Sequence, residues 1–189
     1  MNAPDLQKPP QKHHLTDVKT LRESARRHVE EGAVTEHYQA DRQKVLKLLN
    51  EALATEIVCV LRYRQNYFAA RGLKAKVAAA EFLEHSNQEL EHADSLCERI
   101  VQLGGEPDLD PQKVTARSHA EYRIGKTLAE MIKENLVAER IAIDSYREMV
   151  QYIGDSDPTT RRMLEEILAT EEEHADDLAD LLQDAAPRK

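Results

Sequence analysis

The chain has 189 residues, 41% apolar and 32% charged, with a formal net charge of −9, enough to bury one core and carry an end segment. The acidic balance argues against the body of the protein as a nucleic-acid surface, which works through cationic contacts to phosphate, and favours cations as clients. No tryptophan, 4% aromatic residues and an abundance of Ala, Leu and Glu read as an all-α fold.

Met1 to Thr20 contain no apolar run able to act as a signal sequence. No stretch approaches the roughly 20 apolar residues of a membrane span, so a cytoplasmic protein without a membrane partner is expected. Residues 1–14, with Pro4, Pro9, Pro10, His13 and His14 and no apolar periodicity, are expected to be a disordered tail. Residues 15–40 follow as an N-terminal extension, with a short polar helix capped by Thr16 or Asp17 and stopping near Gly32.

Residues 41–184 carry four long periodic segments, at about 41–71, 74–103, 122–153 and 158–184, and residues 185–189 are read as a tail. Gly72, Gly104-Gly105 and Gly154 close the first three, and Pro158 opens the fourth. Short turns make the first and second helices antiparallel, and likewise the third and fourth. About 17 residues containing Pro107 and Pro111 join the pairs, long enough to run the length of the bundle. The expected fold is thus an antiparallel four-helix bundle of two hairpins and one crossover. Cys59 and Cys97 are too few for a disulfide scaffold, and in the antiparallel hairpin they run away from its middle in opposite directions, out of bonding reach.

Core positions of a bundle recur at alternating steps of three and four. The four stripes are apolar except near their middles. There the first carries Glu56, the second Glu89 and His92, the third Glu139, and the fourth Glu171 and His174. With 22 Glu and 8 His in the chain, one Glu-x-x-His is expected by chance, so the motif alone is weak. Its placement is stronger: each copy lies on a buried stripe and is preceded, at 33 and 32 residues, by another stripe glutamate. The equal spacing makes the hairpins look like two copies of one unit and sets the four glutamates at similar depth.

Four ionised carboxylates in one core would each cost several kcal/mol to desolvate and would repel one another. Two divalent cations would neutralise them, and four carboxylates with two imidazoles suit iron or manganese better than calcium or structural zinc. The candidate metal ligands are therefore Glu56, Glu89, His92, Glu139, Glu171 and His174, the constellation of di-iron bundles. His85, one turn before Glu89, is either a polar core residue or a ligand at a third site. Tyr63, two turns after Glu56, is either packing or an electron donor to the metal pair.

Across residues 45–182 the chain resembles bacterioferritins and the related Dps-like ferritins. The resemblance lies in Leu49-Asn50 with Glu56 and Tyr63, in Glu89-Leu-Glu-His92-Ala-Asp94 running to Glu98-Arg99-Ile100 and Gly104-Gly105, and in Ile124-Gly125, Glu130-Met131-Ile132, Glu139 and Glu171-Glu-Glu-His174. It implies a ferritin-like fold in which Glu56 and His92 bind one iron, Glu139 and His174 the other, and Glu89 and Glu171 bridge. It also implies Fe(II) oxidation by oxygen or hydrogen peroxide, with iron stored or detoxified. Peroxidase, manganese catalase and hydroxylase chemistries use the same constellation and stay open.

Departures from the family pattern carry their own expectations. Leu90 stands where bacterioferritins place a haem-ligating methionine, so no haem is expected. Ala142 replaces the further glutamate of rubrerythrins, and Ile141 and Met149 stand where some Dps-like ferritins carry a cysteine pair. Only 15 residues follow His174, too few for the short fifth helix of 24-subunit ferritins, so a homo-oligomer of the smaller, dodecameric kind is expected. A DNA-protecting role would draw on residues 1–28, whose six Lys/Arg outweigh three acidic groups, but DNA is not an expected partner.

Overall fold

The computed structural model describes residues 15–185, leaving the expectations for residues 1–14 and 186–189 outside the described residues. Of the described residues, those from 15 to 36 form one unit and those from 37 to 185 another. In the first, helix α1 (Val18–Ser24) starts where the Asp17 carboxylate accepts from the Lys19 and Thr20 amides, and a single 3-10 turn follows at Val29–Glu31.

The second unit is the bundle. Its long helices are α2 (Arg42–Ala69), α3 (Lys76–Gln102), α5 (Leu128–Ile153) and α6 (Pro158–Ala185), with a short α4 (Pro111–Arg117) in the crossover. The hairpin pairs α2 with α3 and α5 with α6 pack most extensively, and α2 against α5 and α3 against α6 close the bundle. Among the described residues there is no strand, and no helix is long and apolar enough to cross a membrane. The fold class read from the stripes is the one observed.

Besides α1, which ends at Ser24 rather than near Gly32, two elements differ from expectation. The third bundle helix begins at Leu128 rather than near residue 122, because Thr127 and Glu130 form a reciprocal capping box that satisfies the first free amides there. The crossover is not plain loop: Asp110 caps α4 and Pro111 takes its first turn, where the missing proline amide costs nothing. Val114 of α4 is buried with Ala54 and Val58, while Asn50 binds the Glu106 carbonyl and the Asp108 amide. The crossover is thereby strapped along α2. This is why α2 buries a wider face than its stripe: Ala54 and Val58 lie under Val114, Thr55 accepts from the His119 amide, and Arg62 donates to the Glu121 carbonyl.

Asp157 joins three parts of this unit. Its carboxylate accepts from the Thr160 amide at 2.9 Å, capping α6, and from both Arg99 Nη2 contacts at 2.9 Å near the end of α3. The Tyr38 hydroxyl, ahead of α2, adds a bond at 2.8 Å. Asp157 and Arg99 are buried, so removing one charge strands the other. Asp157→Ala is expected to lower the stability of the metal-free protein by about 3 kcal/mol, measured by denaturant unfolding. A loss below about 1 kcal/mol would show that the pair behaves as a surface bridge.

Candidate metal centre

Glu56 comes from the middle of α2, Glu89 and His92 from α3, Glu139 from α5, and Glu171 and His174 from α6. The i, i+3 spacing puts each Glu and His of a motif on one helix face, and all six residues are at most 9% exposed. Neighbouring Glu84, Glu91, Glu98, Glu172 and Glu173 face solvent.

The six side chains converge on two overlapping clusters: Glu56, Glu89, His92 and Glu171, and Glu89, Glu139, Glu171 and His174. His92 Nδ1 lies 3.5 Å from Glu56 Oε2, 3.4 Å from Glu89 Oε2 and 3.0 Å from Glu171 Oε1. His174 Nδ1 lies 3.6 Å from Glu89 Oε1, 3.8 Å from Glu139 Oε2 and 3.6 Å from Glu171 Oε2. Glu89 and Glu171 each turn one oxygen to either histidine, whereas Glu56 serves only the first cluster and Glu139 only the second.

Hydrogen bonding divides the carboxylates in the same way. The Tyr146 hydroxyl donates to Glu56 Oε1 and the Tyr63 hydroxyl to Glu139 Oε1, occupying one oxygen of each. The second oxygen of each, both oxygens of Glu89 and Glu171, and both Nδ1 atoms are buried without a hydrogen-bond partner. Buried polar atoms are rarely left so, and this set of inward-facing oxygen and nitrogen donors fits a pair of divalent cations. Gln88 Oε1, 2.8 Å from His174 Nε2, pairs with the outer ring nitrogen.

Tyr63 therefore sits against the cluster. Tyr146 was not singled out by the sequence reasoning, although it follows Glu139 by seven residues just as Tyr63 follows Glu56. Gln88 carries no such signal. His85 is buried with Nδ1 3.3 Å from the Tyr63 hydroxyl and its ring stacked on His174 at 3.9 Å, and burial and His174 lower its pKa to about 4. Cys59 and Cys97 are free thiols. Cys59 packs with Tyr63 and Phe82, and burial, then the Glu89 charge, pushes it well above the usual thiol range.

The chain belongs to the ferritin-like family: the family model described as a ferritin-like domain matches residues 46–186. Within it, the relatives fall in the bacterioferritin and Dps branch. The bacterioferritin of Mycobacterium avium is 30% identical over 145 residues, covering 74% of this chain and 84% of that protein. Among solved structures, the bacterioferritin-related protein of Bacteroides fragilis, described as a dodecameric thioferritin, aligns with a TM-score of 0.74 at 32% identity, covering 77% of this chain and 88% of that one. Dps from Thermosynechococcus elongatus aligns at 0.71 with 21% identity over 74% of this chain and 90% of that one, a likeness of fold.

Without metal the cluster stores protons. Burial would lower His92 and His174, but the surrounding carboxylates, Glu171 and Glu139 foremost, carry each to about 12. Burial and the Glu56 and Glu139 charges push Glu171 up to about 8, and burial with the Glu171, Glu56 and Glu139 charges puts Glu89 well above the carboxylate range. Against burial, His174, Glu171 and Tyr63 hold Glu139 at about 2, and Glu89, His92 and Tyr146 hold Glu56 low.

Glu171 binds its proton more tightly folded than unfolded, so its contribution to stability is full below 4.5 and lost as pH rises through about 8. Those of His92 and His174 are full below 6.5 and fade toward about 12. The metal-free protein is therefore expected to melt at a lower temperature at about pH 9 than at about pH 5.5. A midpoint that rises over that interval in the presence of chelator would contradict the proton-storing cluster.

Proposed function

We propose that the chain is a cytoplasmic, haem-free ferroxidase whose substrate is Fe(II), whose oxidant is oxygen or hydrogen peroxide, and whose ferric product is stored within a closed homo-oligomer. One observation carries this: two imidazole–carboxylate pockets share Glu89 and Glu171, each of which turns one oxygen into either pocket. Glu56 and His92 hold one Fe(II), Glu139 and His174 the other, and Glu89 and Glu171 bridge. Manganese would fit the same donors.

Iron supplies the electrons, and the chain supplies position and proton control. Tyr146 and Tyr63 each hold one oxygen of Glu56 and Glu139, leaving the other to face the substrate. Gln88 holds the outer nitrogen of His174, which keeps Nδ1 turned inward. The protons on His92, His174, Glu89 and Glu171 leave as two divalent cations enter, so the pocket stays neutral. Tyr63 is the candidate electron donor, its hydroxyl bonded to Glu139. Haem has no place in this reading, because Leu90 offers no lone pair to iron. The dodecameric state named for the Bacteroides fragilis relative and the exposed Leu61, Phe68, Leu90 and Val101 on α2 and α3 support a cage built from copies of this chain.

Fe(II) added in air to metal-depleted protein is expected to give a rapid rise in ferric absorbance. Glu89→Ala should slow it more than Glu56→Ala, since Glu89 serves both positions and Glu56 one. In parallel melts, Fe(II) or Mn(II) should raise the midpoint of the parent far more than that of Glu89→Ala. Equal shifts would remove Glu89 from the ligand set. No metal-dependent absorbance change would end the ferroxidase reading, and faster peroxide turnover on manganese-loaded protein would redirect it to a peroxidase or catalase.

A further inference from the structure

A second group of metal-binding side chains lies on the α3–α6 face, one turn beyond the core ligands on each helix. Glu81 and His85 precede Glu89 at steps of four along α3, and Asp177 follows His174 by three along α6. His85 is the buried member, its side chain 2% exposed, and its Nε2 points between Glu81 Oε2 at 3.8 Å and Asp177 Oδ2 at 3.7 Å. Both distances are too long for a hydrogen bond. Both are shorter than about 4.2 Å, twice a typical metal–ligand bond, so a cation could touch all three atoms with little movement.

Proton placement sharpens the point. The Tyr63 hydroxyl gives its one proton to Glu139, so at 3.3 Å the neighbouring His85 Nδ1 pairs with it only as a donor. On a neutral imidazole the other nitrogen, Nε2, then presents a lone pair to two carboxylates. Three acceptors face one another with no hydrogen among them. Burial, then the Asp177 and Glu84 charges, holds Glu81 above the usual carboxylate range. Among the described residues, neither Glu81 nor Asp177 pairs with a lysine or arginine.

We propose that Glu81, His85 and Asp177 form a third divalent-cation site, open to solvent through its two carboxylates and distinct from the paired core site. Two carboxylates and a neutral imidazole balance one divalent charge and suit first-row ions such as Fe(II), Mn(II) or Co(II), with water completing the shell.

Equilibrium dialysis of the metal-depleted full chain against Co(II), read with the visible bands of the bound ion, tests the site. The parent should bind about three Co(II) per chain and Asp177→Asn or Glu81→Gln about two, while the exposed control Glu84→Gln stays at about three. A Glu89→Gln/Glu171→Gln variant should keep the outer ion and lose it when Asp177→Asn is added. About two ions in the parent, unchanged by Asp177→Asn, would overturn the third site and leave the core assignment standing. An equal loss in Glu84→Gln would overturn it as well, by showing diffuse binding to surface acids. A single ion abolished by Asp177→Asn and kept without Glu89 and Glu171 would support the third site and defeat the core assignment instead.

Discussion

Four carboxylates held between helices are the constraint around which this structure is arranged. Glu56, Glu89, Glu139 and Glu171 are each buried to within 1% of completely, where an ionised carboxylate pays a desolvation cost of several kcal/mol and like charges repel with little screening. Two states escape that cost. In the metal-free protein Glu89 and Glu171 hold protons, and the charges of Glu56 and Glu139 are matched by two imidazolium rings. With two divalent cations the protons are gone and four negative charges meet four positive ones. Both are neutral, so the pocket can fill and empty without burying net charge.

The bundle meets this demand by using one hairpin twice and bracing the copies across each other. Tyr63 on α2 bonds Glu139 on α5, and Tyr146 on α5 bonds Glu56 on α2. Each glutamate is thus oriented by the hairpin it does not belong to, which ties the geometry of the site to the packing of α2 against α5. The two hydroxyls stay protonated because burial, and then the carboxylate each one faces, raises its pKa. A donor that cannot ionise there is the right partner for a carboxylate that must.

The four-helix architecture and the convergence of the six core side chains were legible in the sequence because both follow from period. A stripe with steps of three and four has one inward face, and a glutamate on that face has nowhere else to point. Tyr146 was equally legible through its spacing from Glu139, which repeats that of Tyr63 from Glu56 in the other hairpin. The start of α5 was missed for a local reason: the Thr127–Glu130 box decides where amides are first satisfied, and the polar stretch before it carries no opposing periodicity. α4 and the wide buried face of α2 depend on each other, since Val114 has a place to bury only once the crossover lies along α2. Gln88 and Asp177 are polar residues on polar-facing positions, and their roles appear only when α3 and α6 are set side by side.

The remaining buried polar groups explain how such a core keeps its register. Arg62 sits six residues beyond Glu56 and binds Asn135, four residues before Glu139, through Nε at 3.0 Å, and the Glu121 carbonyl through Nη1 at 2.9 Å. The arrangement leaves Arg62 Nη2, both polar atoms of Asn66 and Asn135 Nδ2 without hydrogen-bond partners, so it is a poor way to maximise stability. Apolar side chains in these places would hold α2 and α5 together at least as well, but would let them slide or rotate against each other. A site in which Glu56 and Glu139 are each oriented by the opposite hairpin does not tolerate such movement, because its ligands must hold to within about 0.5 Å. The polar clusters at Arg62 and at Arg99–Asp157 lie on either side of the glutamate layer along the helices, and together they set the relative depth of the helices that carry it.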